Sequence, residues 1–214
     1  MTNQTTPLQT TSGQMYLDKD FSVELNFKLW TTKGARFVAS QRLKTKSKLS
    51  SYCMGFLSSY MIIIGLLSVF KFEKFLWITD QQLAFSTTAI SVIMLVFSQA
   101  ESASEYGLKS EKFHSCALEI SELYNKLRYL KTNQATEADI NRLSQELSID
   151  YGNILKRYEN HESIDFDFFK TSKPDYFRLS DWKVFKIQFF YYYKTKLLYH
   201  ILIVVPPVIV FLML

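Results

Sequence analysis

Residues Leu49–Phe70 read LSSYCMGFLSSYMIIIGLLSVF, a run of 22 residues without Asp, Glu, Lys or Arg. Gln81–Ala100 and Leu197–Leu214 share this property over 20 and 18 residues. A helix needs about 20 mostly apolar residues to cross the hydrocarbon core of a bilayer. The sequence therefore predicts a helical membrane protein with a two-span hairpin and a third span at the C-terminus. Pro206 and Pro207 lie inside the third run and have no N–H to donate within the helix. Neighbouring helices must therefore satisfy the carbonyls that these prolines leave without a donor.

The composition favours an all-α fold. Gly and Pro number only 6 and 4 in 214 residues, as expected for long helices. The first apolar run begins too deep in the chain, and is too long, for a cleaved signal peptide. Cys53 and Cys116 are the only cysteines, so a disulfide framework is not expected. The residues outside the apolar runs suffice for one modest cytosolic module, not for a large catalytic domain.

A basic segment without acids, Lys33–Lys48, ends one residue before the first apolar run. Lys and Arg beside a span tend to stay in the cytoplasm. This orientation places the N-terminus and the central polar region in the cytoplasm, with Trp77 at the outer tip of the hairpin. Contact with anionic lipid is favoured over nucleic-acid binding because a span follows at once. The predicted membrane-anchoring residues are Arg36, Arg42, Lys44, Lys46 and Lys48.

Segment boundaries follow from these runs and from the apolar periodicity. Residues 1–20 have no apolar period and are predicted to be a disordered tail. Residues 21–48 fit an alternating strand or an amphipathic basic helix, and the helix at the membrane surface is favoured because a lone strand would have no partner. The other predicted segments are a transmembrane hairpin over 49–100, a cytosolic coiled helical hairpin over 101–160, a polar connecting segment over 161–180, and a helix over 181–214 that runs into the C-terminal transmembrane segment.

An apolar seam in the first cytosolic helix recurs at alternating steps of three and four residues, the spacing of a coiled coil. It includes Phe113, Ile120, Leu123 and Leu127. A second helix, predicted to start at Thr136, carries an apolar face of its own. Neither helix can bury its face alone, so they pack on each other or on other subunits. The four seam residues are the predicted oligomer contacts.

Small residues recur near one face of each of the first two spans. They let membrane helices approach closely, and their hydroxyls can bond across the contact. Helix packing and the lining of a water path are both open for this stripe. Three helices cannot enclose a pore, so conduction would require a homo-oligomer with an apolar gate. The residues of this pore or packing stripe are Ser58, Ile62, Gly65, Thr87, Ser91 and Ser98.

Motifs for catalysis are missing from the sequence. It has no Gly-rich phosphate loop, no zinc-type Cys spacing and no Gly-x-Ser-x-Gly, so an enzyme is not expected and no cofactor is predicted. One histidine among acids, His161, could belong to a metal site, but an ordered polar turn is the favoured interpretation. Asn160 and His161 are predicted to form a coupling surface toward the rest of the protein or toward a partner.

The order of these features is similar to the SLATT domain, and most similar to its fifth subfamily. The resemblance rests on Leu29-Trp-Thr-Thr-Lys-Gly-Ala-Arg36-Phe-Val-Ala39-Ser-Gln-Arg42-Leu43, then two spans, then Tyr158-Glu-Asn160-His161-Glu162. It implies an effector of the bacterial inner membrane, associated with SMODS nucleotidyltransferases, their nucleotide product or SLOG sensors in anti-phage defence. The implied action is a pore that depolarises the membrane. A non-conducting adaptor that recruits a cytosolic partner is the alternative.

Overall fold

The structure is a computed structural model that describes residues 20–70, 79–133 and 135–212. The predicted tail up to residue 19 and the hairpin tip with Trp77 lie outside the described residues. The described residues form helices and no strand, which confirms the all-α prediction. The helices are α1 (Phe21–Phe70), α2 (Asp80–Ser104), α3 (Tyr106–Thr132), α4 (Glu137–Arg157), α5 (Ser163–Thr171), α6 (Asp181–Tyr192) and α7 (Leu198–Leu212), with a π-helical turn at Tyr193–Leu197 between the last two.

The first helix, α1, is a single run of 50 residues. Asp20 caps it, because its carboxylate accepts the backbone N–H of Ser22 at 2.7 Å. No proline interrupts the helix, and it continues through the border at residue 48 between the basic segment and the apolar run. Residues 21–48 are therefore the start of the helix that carries the first apolar run.

The second apolar run lies in α2, which Thr79 caps in a capping box with Gln82. The helix stops at Glu105, whose φ of 49° and ψ of 37° are left-handed. A non-glycine residue in this conformation costs about 1–2 kcal/mol. Gly107, two residues later, is helical, so the break falls on Glu105 and not on the glycine.

The chain forms two compact units, and α1 and α3 contribute residues to both. The first unit comprises residues up to Gly34 together with Cys116–Asn160. Its three helical segments share one apolar core, and Thr32 and Tyr151 are joined by a hydrogen bond of 2.8 Å between their hydroxyls. The core consists of Leu25, Leu29, Cys116, Ile120, Leu123, Leu127, Leu147 and Ile154.

The second unit comprises Ala35–Ser115 and the chain from His161 onward. Near its polar end, Ala39, Leu43 and Phe113 form a small core. Among the apolar runs, a second cluster joins α1, α2 and α7, with Cys53, Leu57 and Tyr199 at its centre. The three uncharged stretches are thus brought together within one unit.

Two stretches of helix are long and apolar enough to cross a membrane, one in α1 and one in the run from Asp80 to Thr132. Only 11% and 6% of their most apolar windows are buried in the chain, whereas the core helix of a soluble protein is mostly buried. The third run differs. It is not one of the two stretches, because α7 itself has only 15 residues, although it continues α6 through the π-helical turn at Tyr193–Leu197. A third complete span therefore stays a prediction.

Candidate functional site

A buried ion pair joins α1 to α5 shortly before the first apolar run. Asp165 is 0% exposed, and its carboxylate accepts Nε of Arg42 at 2.6 Å and Nη2 at 3.0 Å. Glu162 adds a second, half-exposed carboxylate 2.9 Å from Nη2 of the same guanidinium. Asp165 also accepts the backbone N–H of Glu162 at 3.1 Å and so caps α5. The carboxylate of Asp165 therefore binds the Arg42 guanidinium and also caps the start of α5.

The surroundings of this pair are aromatic and poorly solvated. Phe168, one turn after Asp165, stacks on Tyr191 of α6 with ring centroids 3.9 Å apart. Burial, with the nearby Asp165 charge, raises the pKa of Tyr191 to about 12. Burial and the positive charge of Arg36 lower the pKa of His161. Both side chains are therefore neutral at pH 7, and burial opposes charge on Arg42 as well, although its two carboxylate partners hold its pKa above the ordinary value.

The structure corrects the expectation for two of the five membrane-anchoring residues. Arg36 and Arg42 are 0% and 3% exposed, because α1 turns this face toward α3 and α5. Buried guanidinium groups cannot contact lipid head groups. Lys44 and Lys48 are exposed, and the half-exposed Lys46 lies with its Nζ 5.2 Å from the ring centroid of Tyr106. Lipid contact stays a prediction for these three lysines.

The predicted oligomer seam lies inside the chain. Ile120, Leu123 and Leu127 belong to the core of the first unit, and Phe113 packs against Leu43 in the second. The chain's own helices cover all four side chains, of which none is more than 8% exposed. The spacing of three and four residues correctly predicted that these side chains are buried. It did not identify what covers them, which is the chain itself and not another subunit.

The pore or packing stripe stays on the partly exposed surface of the two apolar helices. Ile62 is 64% exposed, and the other five residues are half-buried. The hydroxyls of Ser58, Thr87 and Ser91 donate to carbonyls four residues earlier in their own helices, at 2.7–2.8 Å. Of the three, Ser91 also reaches the other apolar helix, where its hydroxyl lies 3.8 Å from Sδ of Met61 in α1.

A polar cleft of about 320 Å³ opens beside the start of the first apolar run in α1 and the end of the second run in α2. Five serines, Met54, Glu101 and Tyr106 line it, and Ser98 of the stripe is one of the serines. Glu101 is the first charged residue after the second apolar run, and the Tyr199 hydroxyl donates to its two oxygens at 3.2 and 3.0 Å. The cleft thus places hydroxyls and one carboxylate at the edge of the apolar layer.

A tyrosine hydroxyl satisfies one of the two carbonyls that the proline pair of α7 frees. A proline has no N–H, so Pro207 leaves the carbonyl of Ile203 without its helical donor. The hydroxyl of Tyr60 in α1 donates to this carbonyl oxygen at 2.5 Å. An unsatisfied carbonyl in lipid costs several kcal/mol, so this bond holds α7 against α1.

Asn160 and His161, the predicted coupling surface, are adjacent in sequence, but the structure assigns them to different units. Asn160 is exposed and His161 is half-buried. Asp165, one possible ligand in the metal interpretation, is engaged by Arg42. Sequence reasoning missed the Arg42–Asp165 pair, although Asp165 stands between the apolar Ile164 and Phe166, which was a signal of a buried carboxylate.

Comparison with known proteins gives one finding. A protein-family model described as SMODS and SLOG-associating 2TM effector domain family 5 matches residues 18–213. The match extends over most of the chain and confirms the resemblance drawn from the order of the sequence motifs. No curated protein and no solved structure gives a match.

Proposed function

The chain belongs to family 5 of the SMODS and SLOG-associating 2TM effector domains, and from that premise we propose that it is a pore-forming effector of bacterial anti-phage defence. Several copies assemble in the inner membrane, with the first unit in the cytoplasm, and open a leak that depolarises the cell. The activating signal comes from a SMODS nucleotidyltransferase, its nucleotide product or a SLOG sensor.

One observation carries the proposal: only 11% and 6% of the apolar windows of α1 and of the Asp80–Thr132 run are buried within the chain. Such surface needs lipid or other membrane helices as its cover. A single chain has too few helices to enclose water, so a pore requires several copies. Neither run contains a charged residue, which favours a gate formed by apolar side chains. Such a gate opens when water enters the apolar constriction. The exposure of Ile62 and Leu66, 64% and 49%, supports this role for them.

The test is the membrane potential of bacteria that express the wild-type chain, measured with a potential-sensitive dye. Ile62→Asp is the test variant, and Ile63→Asp is its matched control. Both residues are exposed, at 64% and 52%, and are adjacent, but only Ile62 lies on the predicted stripe. Depolarisation by wild type that Ile62→Asp changes and Ile63→Asp leaves intact would support the pore.

A non-conducting adaptor is the second candidate, favoured by the first unit because this unit has its own apolar core and can fold as a separate module for recruitment. Expression together with the associated nucleotidyltransferase or sensor distinguishes the two. A membrane that stays polarised under that condition, with the chain inserted, would reject the pore and leave the adaptor.

A further inference from the structure

The outer face of α6 carries large aromatic side chains that nothing in the described part of the chain covers. Trp182, Phe185 and Phe189 are 73%, 58% and 60% exposed, and Tyr192 is 36% exposed. We call these four residues the aromatic ridge. Neighbouring rings are nearly parallel, with centroids 5.8 Å apart from Trp182 to Phe185 and 6.4 Å apart from Phe185 to Phe189. The opposite face of α6 is already used, since Tyr191 is buried against Phe168.

The distance of the ridge from the apolar layer follows from its position beside α1, because α6 and α7 run beside α1 in the same direction. Tyr191 stacks on Phe168, close to the Arg42–Asp165 pair, and Ile203 meets Tyr60 further along both helices. Arg42 precedes the first apolar run by about 10 Å of helix at 1.5 Å per residue.

The ridge therefore lies outside the lipid. Trp182 precedes Tyr191 by about 13 Å of helix, so it lies about 24 Å from the start of the apolar layer, and Phe189 lies about 13 Å from it. The head-group zone extends only about 5–8 Å beyond the hydrocarbon core. Aromatic side chains this exposed in water mark a protein contact.

The pattern of the ridge fits a second copy of the same helix. Its residues follow steps of three, four and three, which is the spacing of a coiled-coil seam. A bilayer gives all copies of a membrane protein the same orientation, so their α6 helices are parallel. In a parallel pair, a residue flanking the seam meets the residue five positions later in the partner. For Asp181 this is Lys186, a residue of opposite charge, and both side chains are exposed.

We propose that the aromatic ridge of α6 is the contact through which copies of this chain assemble, with Asp181 of one copy paired with Lys186 of the next. This inference rests on the proposed oligomeric effector and replaces the buried seam of α3. A helix of 12 residues is too short to associate strongly by itself. Confinement in a membrane raises the effective concentration and makes such a short contact sufficient.

Disulfide crosslinking in native membranes tests this contact. Phe185→Cys and Phe189→Cys are introduced singly into a chain that carries Cys53→Ala and Cys116→Ala, and Lys183→Cys is the matched control. Lys183 is exposed at the same height but lies on another face of α6. The expected result is several-fold more disulfide-linked dimer for the two ridge positions than for the control.

Charge reversal gives a second, independent measurement. Asp181→Lys and Lys186→Asp should each lower crosslinking at Phe189→Cys, and the double reversal should restore it. Equal crosslinking at ridge and control positions would overturn the proposal. So would a double reversal that crosslinks no better than the single variants. Quenching of Trp182 fluorescence by brominated lipid would also overturn it, because the ridge would then lie in the membrane. Ridge crosslinks without depolarisation would reject the pore alone, whereas depolarisation without ridge crosslinks would reject this contact alone.

Discussion

Replacing Asp165 with Asn should destabilise the second unit strongly, because it leaves Arg42 buried without its main counter-charge. The substitution keeps the shape of the side chain and one acceptor oxygen. Asp165 is 0% exposed and makes both bonds to the Arg42 guanidinium. The remaining carboxylate, Glu162, has a side chain that is 53% exposed, so water screens its charge.

The expected loss is about 3–5 kcal/mol, the cost of removing one partner of a buried ion pair. For a chain of about 200 residues, each kcal/mol shifts the melting temperature by about 2–4 °C. Asp165→Asn should therefore lower it by about 6–20 °C. Thermal melting of the purified protein in detergent, followed by intrinsic tryptophan fluorescence, measures this shift.

Glu162→Gln is the control, since the loss of a half-exposed ion pair costs about 0–1 kcal/mol. Arg42→Met with Asp165→Leu should recover most of the loss, because no uncompensated charge remains in the interior. A melting temperature for Asp165→Asn within about 2 °C of that of Glu162→Gln would refute the reasoning.

Three other variants test single features of the structure. Tyr60→Phe should destabilise the protein by about 1–3 kcal/mol, because the carbonyl of Ile203 loses its only described donor; melting no different from wild type would contradict the repair of the proline break. Glu105→Gly should raise stability by about 1 kcal/mol, since glycine adopts the left-handed conformation without a steric cost, and a lower melting temperature would argue against that conformation. The lowered pKa of His161 makes the folded chain bind fewer protons than the unfolded chain below about pH 6.5, so stability should fall from pH 7 to pH 5, and His161→Gln should flatten this slope. An unchanged slope in the variant would assign the pH dependence to other groups.

The sequence was sufficient to predict the helical membrane class, because a run of about 20 uncharged, mostly apolar residues rarely occurs outside a membrane span. It was sufficient for the family because the motifs before and after the two spans come in a characteristic order. It also predicted the cap at Thr136, whose hydroxyl accepts the backbone N–H of Asp139 at 3.2 Å. Periodicity identified the buried face of the helix that carries Ile120 and Leu127, because spacing depends only on the helical repeat.

Periodicity does not identify the element that covers a face, and this is where the predictions differ from the structure. Ile120 has the same spacing whether its cover is another subunit or Leu25 of its own chain. Arg42 has the composition of a lipid anchor, and only the fold brings it to Asp165, 123 residues later in the sequence. Phe185 and Phe189 had visible coiled-coil spacing, but their exposure became known only from the packing of the opposite face of α6.

The bond between Tyr60 and Ile203 also determines how α7 can move. Within the residues that the structure describes, the hydroxyl of Tyr60 meets only the carbonyl of Ile203. The bond therefore fixes the position of α7 along the axis of α1. Sliding α7 by one residue would leave the freed carbonyl without a donor, whereas rotation about the bond keeps the donor in place. A motion of α7 that preserves this bond is therefore a rotation or a tilt, and a displacement of α7 along the axis of α1 must break the bond first.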